Sequence, residues 1–121
     1  MIVAEWKGEA VSANRRLVPG KGRWIANNRY LNFKNSLAWA VKAAAMRNPI
    51  EMAVLRRAAV HVRLELVLPA NMDTDAVVKP CLDALQVAGV VENDNQVKEI
   101  EAIRVGNAPT SMIRFFIREV T

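Results

Sequence analysis

Residues 71–98 read NMDTDAVVKPCLDALQVAGVVENDNQVK. From Val77 to Ala88 the apolar residues Val78, Leu82, Leu85 and Ala88 recur at three- and four-residue steps, which predicts an amphipathic helix. Asp75, Lys79 and Asp83 then fall on one face, each a turn beyond the last. Gly89 closes the helix as a C-terminal glycine, and Glu92, Asn93 and Asp94 follow in a polar turn. Acids scattered in sequence are thereby expected to converge at one end of a single helix. Carboxylates packed that closely repel one another unless a cation lies among them. Their hard oxygens suit Mg²⁺, with Mn²⁺ as a substitute, better than zinc, which favours His and Cys.

Taken together, Asp73-Thr74-Asp75, Lys79, Asp83, Leu85, Gly89, Asn93-Asp94 and Asn95-Gln96-Val97 resemble the RusA family of Holliday junction resolvases. The family pattern is an Asp-x-Asp pair, a Lys four residues after the second Asp and a further Asp four beyond it. A helix-ending Gly and an acidic pair before x-Gln-Val complete it. Three positions depart from the usual order: Ala76 stands where Asn is usual, Asn93 replaces the first acid of the pair, and Pro80 falls inside the helix. A proline is tolerated in a first turn, so the helix is expected to start near Val77 or to kink. The resemblance implies a metal-dependent endodeoxyribonuclease that resolves four-way junctions by paired nicks, in DNA recombination and repair. It places the catalytic roles on Asp73, Asp75, Lys79 and Asp94, with metal held by Asp73, Asp75 and Asp94. Asp83 and Asn14 are possible accessory residues. It also implies a homodimer and suits a phage or prophage setting.

Composition agrees with a single domain. At 121 residues, with 52% hydrophobic and 24% charged residues, the chain is long enough to bury a core without disulfides. No apolar run reaches the length of a membrane span, and no signal peptide is expected at the charged N-terminal stretch. One Cys, Cys81, fits a reducing cytoplasm. One His and one Cys cannot build a zinc centre, and His61, inside a strand-like run, reads as structural. The net charge of +5 is uneven: residues 1–71 carry twelve Lys or Arg against four acids, and residues 72–121 five against eight. A basic remainder around an acidic focus suits a metal-dependent enzyme on a polyanion. The bland alternative is that the excess cations only keep the chain soluble.

Outward from the acidic stretch, Val60 to Leu68 alternate apolar residues with His61, Arg63 and Glu65, a half-buried strand that delivers Asp73 and Asp75 at its far end. Met1 to Gly8 begin as a first strand, with Ile2, Ala4 and Trp6 alternating with Val3, Glu5 and Lys7. Leu17 to Arg23 read as a turn-rich basic loop, with Arg15, Arg16, Lys21 and Arg23 as expected DNA contacts and Asn14 as a residue that holds the loop to the acidic centre or simply forms a turn. Trp24 to Ala26 return as a short strand. Asn27-Asn28 cap a helix to about Met46, striped by Tyr30, Phe33, Leu37, Val41 and Ala44, and Asn48-Pro49 stop it. Strands follow at Val97 to Arg104 and Met112 to Val120, with Gly106-Asn107-Ala108-Pro109 as a hairpin-like turn. The order predicts an α+β fold, a mixed and largely antiparallel sheet with two helices packed on one face. Two rivals stay open: a junction or branched-DNA-binding protein with weakened catalysis, suggested by Ala76 and Asn93, and a nucleotide hydrolase, disfavoured because no Gly-rich phosphate loop is present.

Overall fold

The computed structural model describes residues 1–120. Strand β4, Val60–Leu68, is the spine: Val60, Val62, Leu64, Leu66 and Leu68 are all fully buried. Its neighbours are β6, Ser111–Glu119, and β5, Val97–Asn107, and beyond β6 lies β1, Ile2–Gly8. The order β1-β6-β4-β5 is antiparallel except between β4 and β5, which run parallel. Parallel neighbours need a crossover, and α3, Val78–Val87, supplies it.

The helices cover one face. Helix α1, Asn28–Met46, buries Tyr30, Phe33, Leu37, Val41 and Ala44, the stripe read from sequence. Trp6 of β1 packs its ring 5.0 Å from Phe33 and donates its indole N–H to Ser36 Oγ at 2.9 Å, which pins β1 under α1. On the bare face, Arg114 bridges Glu5 and Glu65, and Arg63 bridges Glu65 and Glu101. One ion-pair ladder therefore crosses all four strands, and polar alternation on β4 reflects that open face. His61, buried between Glu99 and Glu101, belongs to this layer and is structural.

The α+β architecture is as expected; three details differ. A third helix, α2, Pro49–Leu55, follows the first. Pro49 ends α1 but also occupies the first turn of α2, where its missing N–H costs nothing. The return strand at Trp24–Ala26 is present as β3, Arg23–Ala26, but Leu17–Gly20, read as part of the loop, is itself a strand, β2, paired with it in a regular hairpin. Its turn rests on Gly22 at φ +69°, a conformation that side chains disfavour. Residues 106–109 join antiparallel strands that are not neighbours. The segment passes over the end of β4, donating Ala108 N–H to Leu68 O at 3.0 Å. Strand β4, apolar at five successive inward positions, takes both central contacts and separates β5 from β6.

Candidate active site

The acidic turn begins where β4 runs out. Met72 N–H donates to Pro69 O at 3.0 Å, and Asp73, extended at φ −70° and ψ 147°, leads into a 3-10 turn over Thr74–Val77. Val77 is buried and anchors that turn, whereas Asp73 and Asp75 stand exposed. Seven of the twelve acids in the chain pair with Lys, Arg or the N-terminal amine: Glu5, Glu9, Glu51, Glu65, Asp83, Glu92 and Glu101. Among the described residues Asp73, Asp75 and Asp94, and Glu119 at the end of β6, are in no ion pair, in a chain with seventeen Lys and Arg. Carboxylates left open amid so many cations are available to an incoming cation. The helix α3 follows, with Pro80 in its first turn, as the sequence requires. Lys79 reaches Asp83, at 3.8 Å, instead of Asp75. The C-terminus of α3 is sealed by Gly89 at φ +79°, with Val90 N–H on Leu85 O and Gly89 N–H on Gln86 O.

Two residues outside the expected set hold these acids in place. Arg104 lies on the helix-facing side of β5, opposite Leu66. Its guanidinium donates to the carbonyls of Met72, Pro69 and Leu68, and to Asn107 Oδ1 at 2.6 Å. The loop before Asp73 is thus closed on a single side chain. An arginine at an inward register between Ala102 and Gly106 was the available signal. Gln96 does the same for the second acidic segment. Its Oε1 accepts from Glu92 and Asn93 N–H, and its Nε2 donates to the carbonyls of Arg56 and Ala58 at 2.9 Å each. Asn93 accepts from Asn95 N–H, so the replaced acid serves as a cap.

The acids do not converge within one chain. Asp73 and Asp75 follow the C-terminal end of β4, but Asp94 precedes the N-terminal end of β5, which pairs with Val60. Between them runs α3, ten residues and therefore about 15 Å. Among the described residues no three His, Cys, Asp or Glu side chains form a metal-binding group.

The basic hairpin stands beside the acidic turn, because a 3-10 turn at its root, Ala13–Arg15, packs against Thr74–Val77. Arg15, Arg16, Lys21 and Arg23 are exposed and, among the described residues, in no ion pair. Asn14 is exposed and enters its turn through its backbone N–H, on Ser12 Oγ. The tie expected of it is made by Asn27, which caps α1 through Arg29 N–H and donates Nδ2 to Arg15 O at 2.7 Å. A groove of about 350 Å³, lined by Ser12, Arg15, Asn27, Arg29, Asn71 and Met72 among others, connects the hairpin root to the acidic turn.

The family model Endodeoxyribonuclease RusA matches residues 8–115. The chain belongs to the RusA family. The match takes in both acidic segments, the basic hairpin, four of the six strands whole and the first half of β6. No curated protein matches the chain. RusA proteins are endonucleases acting on Holliday junctions, which makes this RusA chain an endodeoxyribonuclease. Among its described residues no helix is long and apolar enough to cross a membrane.

Proposed function

We propose that this RusA-family chain is a Mg²⁺-dependent, structure-specific endonuclease of the cytoplasm that resolves four-way DNA junctions by symmetric paired nicks, in recombination and repair. The observation that carries the reading is the Asp73–Asp75 pair, exposed and, among the described residues, without ion pairs, directly after Asn71 and Met72, which line a groove shared with Arg15. Two hard carboxylates at two-residue spacing fit Mg²⁺ or Mn²⁺, which are commonly held by one or two carboxylates with waters and substrate phosphate completing the shell. Bound there, the cation supplies Lewis-acid activation of water and relief of charge on the leaving oxygen. Arg15, Arg16, Lys21 and Arg23 bind flanking phosphates. Lys79, released from Asp83, stabilises charge building on the phosphoryl oxygens.

A second copy accounts for Asp94. Among the described residues the outer edge of β5 has no strand neighbour, and Ile100, Ile103 and Val105 are exposed along it. Antiparallel pairing of two β5 edges about a two-fold axis sets the N-terminal end of one strand against the C-terminal end of the other. Asp94 of one copy then meets the segment before Asp73 in its partner, and the dimer has two composite sites for a two-fold symmetric substrate.

The test is incubation with a labelled four-way junction and a matched linear duplex, with and without Mg²⁺. Cleavage confined to the junction with Mg²⁺ supports the reading. Binding without cleavage favours instead a junction-binding protein, the outcome that Ala76 and Asn93 would explain. For the shared site, Asp75→Asn and Asp94→Asn are mixed: each is inactive alone, and activity returns in the heterodimer, where one composite site is intact. A monomer that still makes paired nicks overturns the dimer.

A further inference from the structure

We propose that the outer face of the β2–β3 hairpin, centred on Trp24, is a stacking surface for an unpaired or unstacked nucleobase at the branch point of the DNA; this rests on the junction reading above and deepens it. Cross-strand register places Pro19 opposite Trp24 and Leu17 opposite Ala26, so these four share one face of the ribbon. The other face carries Val18, Gly20, Arg23 and Ile25 and is partly closed where Ile25, itself 41% exposed, lies over Gly20: a Cβ added at Gly20 would come within 2.9 Å of Ile25 Cγ2. The Trp24 face is left open, with Trp24 68% and Leu17 46% exposed. The chain packs its indole elsewhere when it needs one for structure, as Trp6 shows with its buried ring and hydrogen bond to Ser36.

Charge says what covers the face. From Ala10 to Ile50 there is no Asp or Glu and there are eight Lys or Arg, four of them on or beside this hairpin. An exposed aromatic set in unpaired cations fits a polyanion that carries flat apolar groups, which is nucleic acid with accessible bases. The hairpin root also packs on the Asp75 turn, so the strand it touches is the strand presented to the carboxylates. Bases inside a continuous duplex are stacked on one another, whereas those flanking a crossover are readily opened. An indole that stacks on them therefore distinguishes a branched substrate from a linear one, a discrimination that phosphate contacts do not provide.

The experiment compares binding of a four-way junction and a linear duplex of equal length, without divalent metal so that nothing is cut. Trp24→Ala is expected to weaken junction binding about 10-fold and duplex binding by less than about 2-fold, and Trp24→Phe to retain most of the preference. In a Trp39→Phe background, where the buried Trp6 is the other emitter, the part of the indole emission that is lost in Trp24→Phe is quenched by the junction and little changed by the duplex. Circular dichroism of each variant separates loss of fold from loss of contact. Equal weakening on both DNAs, or no weakening on either, overturns the stacking surface while leaving the nuclease reading in place. A wild-type protein with no preference for the junction overturns the junction reading itself, and the stacking proposal with it.

Discussion

Nη2 of Arg104, on β5, lies 2.6 Å from the carbonyl oxygen of Pro69, just past the end of β4. The same guanidinium takes the Met72 and Leu68 carbonyls, so the segment that leads into Asp73 is shaped by a residue 31 positions later in the chain. Arg104→Gln leaves those carbonyls short of donors and is expected to cost about 1–3 kcal/mol of stability. Cleavage should fall further than the folded fraction does, with weakened Mn²⁺ affinity. Arg104→Lys should recover stability in part but not the metal affinity, because one ammonium cannot span three carbonyls and Asn107. Calorimetry of Mn²⁺ binding alongside melting curves checks both; unchanged affinity in the Gln variant removes Arg104 from the support of the site.

Gln96 is a comparable tie with a different chemistry. Its amide accepts on one side and donates on the other, so neither a pure acceptor nor a pure donor replaces it. Gln96→Ala is expected to cost about 2 kcal/mol. Gln96→Glu sets a carboxylate against the Arg56 and Ala58 carbonyls, which raises its pKa in the folded state. Its stability should be greatest at low pH, where the acid is protonated and donates, and fall as pH rises through that raised value. A melting temperature in the Glu variant that is flat from pH 4 to 7 (about the carboxyl range) contradicts the arrangement.

Lys79 and Asp83 form an exposed pair one turn apart, at 3.8 Å. Such pairs contribute about 0.3–0.5 kcal/mol, so Asp83→Asn should scarcely shift the melting temperature. It should also leave cleavage within a few-fold of the parent, since Lys79 is only freed. Lys79→Ala is expected to reduce cleavage about 100-fold with Mn²⁺ binding retained. Loss of metal affinity in the Lys79 variant would make the residue a structural counter-ion.

The phenol oxygen of Tyr30 is buried and, among the described residues, has no hydrogen-bond partner. Burial, reinforced by the nearby Asp83 charge, pushes its pKa up. Tyr30→Phe removes an unsatisfied polar atom and keeps the ring, so stability should rise, by up to about 1 kcal/mol. Urea unfolding of the two proteins measures the difference, and a clear loss would show that the hydroxyl has a partner.

Cys81 sits fully buried in α3, and burial pushes its thiol far above the ordinary value of 9.0. The folded state therefore favours the protonated form. That contribution to stability is complete below the unfolded thiol's pKa and is lost as pH rises above it. At pH 8, below that ordinary value of 9.0, a disulfide reagent should leave the native protein unmodified and react on unfolding. Rapid native reaction would place the thiol at the surface.

Elements with a strong local period were legible in the sequence. Strand β4 and helix α1 each announce a face through five apolar residues, and Gly89 marks the end of α3. What failed was partnership. The signal at 106–109 is that of a hairpin, yet whether β6 pairs with β5 is decided by β4, which is apolar enough to occupy the gap. Asp75 and Asp94 flank one helix, and nearness in sequence suggested nearness in space. A helix of ten residues is instead a spacer, and only the parallel register of β4 and β5 shows which end each acid occupies. Arg104 escaped notice because its partners are backbone carbonyls, which carry no sequence signature.

The pairing of Ile2 with Ile117 has a consequence in time. Among the described strands β1 is synthesised first, and its sheet partner β6 after all the others. During translation the N-terminal strand has nothing to add to until residues 111–119 have left the ribosome, and β4 likewise lacks one of its two neighbours. The nascent chain can form its helices and the basic hairpin, but its sheet closes only after synthesis has passed β6. A nuclease that assembles in this order leaves its apolar strands unpaired until β6 is made, and they depend on rapid closure at that point to escape aggregation.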